Sequence, residues 1–301
     1  MTPKQFREAI KPWMLPIAMV IGIIFHDFME QLEWTAPYLI FAMLLLTFCK
    51  VKPREIKITS LSRILIPVQI LGALFVYVVF RPFNVSFAQG LFMCVFCPTA
   101  TAAPVIVGML GGSVPRLATF SILSNLSVAL LAPPIFSLIG AGGVDFWPAF
   151  LTIAFKVMPL IIGPLAVALL LLKVAPKAHA QLASHAGLSF YMWAFSLIIV
   201  VGRAVSFVMA EPPSEIPLML ALAIGAGVAC IAQFIIGRKI GRRCGDKVAG
   251  AQGLAQKSTV LAIWMSMTFM NPISAVAPAA YILWQNTINA IQLYLHRRHE
   301  S

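Results

Sequence analysis

The stretch Phe96-Cys97-Pro98-Thr99-Ala100-Thr101-Ala102-Ala103-Pro104 lies inside an apolar run that starts near residue 87 and continues to about residue 110. Proline lacks a backbone N–H, and its ring clashes with the preceding turn. Pro98 and Pro104 therefore predict two half-helices joined by unwound backbone. At membrane depth such backbone is tolerated only where protein buries it or where it lines a watery cavity. Paired interrupted helices near the bilayer midplane are one way in which a polar site for a solute is built. A kink that only shapes packing is the plainer reading of a single proline, but two prolines flanking Thr99 and Thr101 favour a break.

Composition sets the frame around that stretch. Of 301 residues, 60% are hydrophobic and 11% charged, and the mean hydropathy is +0.91, far too apolar for a soluble domain. The expectation is a single membrane domain, residues 1–301. The net charge of +12 sits in short segments between apolar runs, with no basic domain or aromatic-interleaved groove, so nucleic acid is not an expected partner. Cys49, Cys94, Cys97, Cys230 and Cys244 are odd in number and scattered, which argues against a disulfide framework. Cys94 and Cys97 form C-x-x-C, but no second Cys or His pair accompanies them. Lys4, Arg7 and Lys11 precede an apolar run without a small-residue cleavage site, so this segment is expected to stay as the first helix.

Apolar segments recur at about 13–29, 34–48, 64–80, 87–110, 117–139, 146–172, 185–208, 216–237, 248–270 and 272–294, ten in all. Every second connection is basic: Lys50 to Arg63, then Arg116, then Lys173 and Lys177, then Arg238 to Lys247, then Arg297 and Arg298. The others carry Asp27, Glu30 and Glu33, or Asp145, or Glu211 and Glu215, apart from a lone Arg81 and an uncharged connection at Asn271. The positive-inside rule then puts both termini in the cytoplasm, for a multi-pass protein of the plasma membrane, the inner membrane if bacterial. Ten spans divide into two sets of five, about 11–140 and 146–298. An odd number per set means that a repeat would be inverted. The counterpart of the broken fourth span is the ninth, where Gly250-Ala251-Gln252-Gly253-Leu254-Ala255-Gln256-Lys257-Ser258-Thr259 is glycine-interrupted and polar at membrane depth. The two interruptions are expected to cross near the membrane centre, where half-helix N-termini favour an anion.

Charged groups within spans are costly and count as functional hypotheses. Lys156 and Arg203 lie where their heads can snorkel to an interface, whereas Lys257 sits in the middle of the polar interruption. No Asp or Glu falls inside a span except Asp27 at an outer edge. Gln69, Gln285, Asn286 and Asn289 are further polar candidates, as are Ser121, Ser124 and Asn125, which share one helix face. Gln285 and Asn286 are adjacent, so one is expected to face the site and the other a neighbouring helix.

Through Cys97-Pro98-Thr99-Ala100-Thr101, Gln252-x-x-x-Gln256-Lys257-Ser258 and Trp284-Gln285-Asn286, the chain resembles the bile acid:sodium symporter family from the second span to the tenth. The resemblance implies an all-α protein of ten transmembrane helices in two inverted five-helix repeats. Discontinuous fourth and ninth helices would cross in a core domain beside a panel domain, with an organic anion bound between them. Family substrate contacts carry over to Thr101, to Lys257 where many members have Asn, to Gln285, and to Asn286, which matches. Thr99 and Ser258 join them as polar residues of the two breaks.

The departures concern the ion sites. Sodium-coupled members carry a Glu where this chain has Gln252, although Gln256 is kept. They carry Ser-Asn where this chain has Ala103-Pro104, and a hydroxyl where it has Leu117. A second hydroxyl survives as Ser121, and the third-helix Gln survives as Gln69. Sodium wants several oxygen ligands, usually with a carboxylate, so one site is expected to be crippled and the other weakened.

The expected function is a secondary active transporter or facilitator of a small or amphipathic organic anion by alternating access. Its partners would be that anion and membrane lipid, its sodium dependence weak or absent, and transport would be proton-linked if Lys257 takes up a proton with the anion. No cofactor or metal is expected. The alternatives are a sodium-coupled organic anion symporter of the bile acid kind, and an arsenite or oxyanion efflux permease using Cys94 or Cys97. An enzyme is not expected, because His26, His179, His185, His296 and His299 lie at span edges or in loops.

Overall fold

The computed structural model describes residues 14–50, 58–100, 103–140, 145–185 and 188–300. The basic residues Lys4, Arg7, Lys11, Lys52, Arg54 and Lys57, and the candidate contact Thr101, lie outside the described residues. Each apolar segment is helical, as one helix or as a pair. In chain order these are α1 (Met14–Ile24), α2 (His26–Gln31), α3 (Ala36–Lys50), α4 (Ser60–Phe80), α5 (Val85–Phe96), α6 (Ala103–Met109) and α7 (Val114–Ile139). Then come α8 (Phe146–Val174), α9 (Pro176–Ser184), α10 (Leu188–Ala210), α11 (Ile216–Arg243), α12 (Lys247–Ala255), α13 (Thr259–Phe269) and α14 (Val276–Glu300). Short 3-10 turns lie at Glu33–Thr35, Pro213–Glu215 and Pro272–Ala275.

Among the described residues, four helical stretches are long and apolar enough to cross a membrane: Ser60–Phe80, Val114–Ile139, Phe146–Val174 and Pro213–Arg243. Their side chains are distributed as lipid demands. On α4, Ser62 and Gln69 are buried while Leu71, Phe75 and Val78 are exposed; on α11, Gln233 is buried while Leu220, Ile224 and Val228 are exposed. Water as the surrounding solvent would reverse this pattern. The chain is an all-α, multi-pass membrane protein.

Two compact units divide the described chain. One contains α1 to α3, the end of α8, α9 and α10. Here α10 packs against α1, α2 and α3 through small residues: a Cβ on Gly22 would lie 2.7 Å from the Ile198 carbonyl oxygen. Arg203 forms an ion pair with Glu33 rather than reaching freely for an interface, and His26 Nδ1 lies 3.0 Å from Ser206 Oγ. The α9 segment, read from sequence only as a basic connection, is a helix of its own.

The other unit contains α4 to α7, the start of α8, and α11 to α14. Asn84 caps α5 by accepting from Phe87 N–H at 2.8 Å. Asp246 caps α12 with Oδ1, which accepts from Val248 and Ala249 N–H, while its Oδ2 accepts from Ser113 N–H at 2.7 Å and so ties the start of α7 to α12. Close contact of α11 and α12 depends on glycine, since a Cβ on Gly250 would lie 2.4 Å from the Gly237 carbonyl oxygen. Both α5 and α12 end abruptly. The second end corrects the expectation of a glycine interruption: Gly250 and Gly253 lie within α12, and the helix breaks at residues 256–258, which include no glycine or proline.

Candidate functional site

Unwinding at Pro98 strands backbone acceptors, and their partners define the site. A continuing helix would send the N–H groups of residues 98, 99 and 100 to the carbonyls of Cys94, Val95 and Phe96. Pro98 has no N–H, and the other two point elsewhere. Side chains from two other helices and from the second break replace all three donors. Gln233 Nε2 on α11 donates to Cys94 O at 3.2 Å, and Lys257 Nζ donates to Val95 O at 2.7 Å. Gln69 Nε2 on α4 donates to Phe96 O at 2.7 Å and to Cys97 O at 3.0 Å. Gln69 Oε1 in turn accepts from Ser124 Oγ at 2.8 Å. Buried backbone at membrane depth has no water to fall back on, so these side chains are what allows the break to exist.

The freed N–H groups build the crossover. Thr99 and Lys257 form an isolated antiparallel bridge, in which Ala100 N–H donates to Gln256 O and Ser258 N–H donates to Pro98 O, both at 2.8 Å. Thr99 Oγ1 donates to Gly253 O at 2.7 Å, its N–H reaches Ser124 Oγ at 3.4 Å, and Ser121 Oγ donates to its carbonyl at 3.3 Å. On the other side, Gln285 Oε1 accepts from Lys257 N–H at 3.0 Å and Tyr281 Oη donates to Ala255 O at 2.8 Å. The two interruptions foreseen in the sequence are thus brought together and stitched by main-chain bonds.

The predicted contacts fall into two groups. Thr99, Lys257 and Gln285 are buried and committed to the crossover. Ser258 and Asn286 are partly exposed, and their side chains have no hydrogen-bond partner among the described residues. Of the adjacent pair, Gln285 therefore faces the neighbouring break, and the Asn286 amide has no partner among the described residues. At the expected ion positions, Ala103 and Leu117 are buried in one apolar cluster with Leu61, Leu65, Val107, Phe120 and Leu254. Pro104, second residue of α6, is half-buried where its missing N–H costs nothing. Gln252 Nε2 donates to Asn289 Oδ1 at 2.9 Å and Asn289 Nδ2 donates to Gln256 Oε1 at 2.6 Å, a neutral chain of amides. Gln252 Oε1 and Gln256 Nε2 are buried without partners among the described residues.

Sequence reasoning missed Gln233 and Tyr281, which meet beside the first break: Gln233 Nε2 donates to Tyr281 Oη at 3.0 Å, and Cys230 is buried on the same helix as Gln233. A lone Gln in the 216–237 segment was the available signal; Tyr281 and Cys230 read as apolar. Cys94 and Cys97 are buried free thiols. Among the described residues, no three His, Cys, Asp or Glu side chains are grouped as metal ligands. Compared with models of known protein families and with curated proteins, the chain gives no match.

Proposed function

We propose that the protein is a secondary carrier for a small or amphipathic organic anion, with little or no dependence on sodium. In this reading the resemblance to the bile acid:sodium symporter family is one of kinship. Ten membrane helices then form two inverted repeats with both termini in the cytoplasm, and α5–α6 and α12–α13 are the discontinuous fourth and ninth. The observation that carries the reading is the stitched crossover of two broken helices, beside which the polar groups of Ser258 and Asn286 have no partner among the described residues. A protein with no solute to handle gains nothing from breaking two helices in lipid and capping each freed carbonyl with a buried side chain. Next to Ser258, the N-terminus of α13 offers partial positive charge to an anion.

Weak sodium dependence follows from the donor set. Sodium needs several converging oxygens, and Ala103 and Leu117 contribute carbon to a dry cluster. At Gln252, Gln256 and Asn289 the groups are neutral amides bonded mainly to one another. Uptake of a panel of carboxylates and sulfonates into proteoliposomes, with sodium or choline outside, tests the proposal. Saturable uptake that survives the exchange of cations supports it, and steep dependence on sodium refutes it.

A further inference from the structure

We propose that the Lys257 ammonium is a fixed cation built into the crossover, holding the carbonyl end of α5 where an exchangeable ion or a water would otherwise be needed. The C-terminus of a helix carries about half a negative elementary charge on its unpaired carbonyls. At the end of α5 three of those carbonyls are buried and stripped of their helical donors. Two receive neutral amides, from Gln233 and Gln69. The one between them, Val95 O, receives the ammonium at 2.7 Å. Nζ stands in for the N–H of Thr99, four residues beyond Val95, which the bridge has turned away.

The same lysine supplies the main chain of that bridge, so one residue both pairs with Thr99 and reaches back past it to close the helix it interrupts. Its side chain is among the largest fully buried ones in the protein. Among the described residues no Asp or Glu pairs with it; the ion pairs there join His26 to Asp27 and Arg203 to Glu33. With no acidic partner among the described residues, the dipole of α5 is the compensating charge. A side chain seated this way is part of the frame of the crossover. This reading of Lys257 departs from proton linkage through its side chain.

The role stands whether or not an organic anion is the solute, and its test needs no solute. Purified Lys257→Ala retains Cβ and opens a cavity that propylammonium fits, since that ion restores the three missing carbons and the charge. Relative to wild type, K257A is expected to melt lower by about 5 °C or more. Propylammonium chloride should recover at least half of the loss. Propanol and choline chloride at the same concentration should not, and none of the three should shift wild type. Equal recovery with propanol, no recovery, or a wild-type midpoint in K257A overturns the proposal. If K257A is obtained only as aggregate, Lys257→Met decides: its chain fills the space without charge, so a midpoint below wild type is expected, and one equal to or above it refutes the role.

Discussion

Single polar side chains in this protein are spent on backbone atoms, which separates those that hold the crossover from those left to meet a solute. Gln69 serves two carbonyls and one hydroxyl at once. Removing it strands buried acceptors at about 1–3 kcal/mol each. Gln69→Leu should therefore lower the thermal midpoint in detergent by clearly more than Ser258→Ala, whose hydroxyl has no partner among the described residues. Equal midpoints for the two variants would mean that the Gln69 bonds contribute little. Asn286 gives the converse case. Asn286→Ala should leave the melting midpoint within a degree or two of wild type and weaken solute binding roughly tenfold, the effect of one lost hydrogen bond. Gln285→Ala should lower the midpoint, because Gln285 Oε1 holds Lys257 N–H. The importance of Gln69 and Lys257 was legible in the sequence, since a polar group within an apolar run must find a partner. Which atom each would find was not, because the acceptors are main-chain carbonyls that carry no sequence signature.

At the level of elements, proline alone does not decide where a helix stops. Pro67, Pro133 and Pro134 lie inside continuous α4 and α7, and Pro159 inside α8, yet α5 ends just before Cys97-Pro98. The difference lies in the supply of donors: Gln233, Lys257 and Gln69 stand ready at the carbonyls that Pro98 and the bridge release. Sequence periodicity cannot display those donors, since they come from α4, α11 and the second break. That second break shows the same thing from the other side, because it has no proline or glycine and depends on pairing with the first. Gly250, which looked like the interruption, is instead where α12 rests on α11. Gly250→Ala should force backbone apart, since its Cβ would lie 2.4 Å from Gly237 O with no flexible side chain to yield. A loss of folded protein or a melting midpoint several degrees below wild type is expected, by size-exclusion fluorescence. An unchanged midpoint would mean that the two helices separate at no cost.

For the whole molecule, composition and charge alternation were enough to read an all-α membrane protein, because lipid permits few alternatives to helices. The division into two units was not legible in composition or periodicity, since each unit joins two segments that lie far apart in the chain. The proposed orientation, with both termini in the cytoplasm, rests on the basic connections. A fluorescent protein fused after Ser301 should fold and fluoresce as a cytoplasmic domain, whereas an alkaline phosphatase fusion at that position should be inactive; the reverse pattern would invert the proposed topology. The central claim, a carrier of organic anions that does without sodium, is tested most directly by initial uptake rates of carboxylates and sulfonates in proteoliposomes, with sodium replaced by choline, for wild type and Asn286→Ala. The predicted result is saturable uptake of at least one anion at the same rate in both salts, reduced roughly tenfold or more in the variant at solute concentrations below saturation. Uptake that collapses in choline, or no uptake of any anion by protein that melts cooperatively, would contradict it.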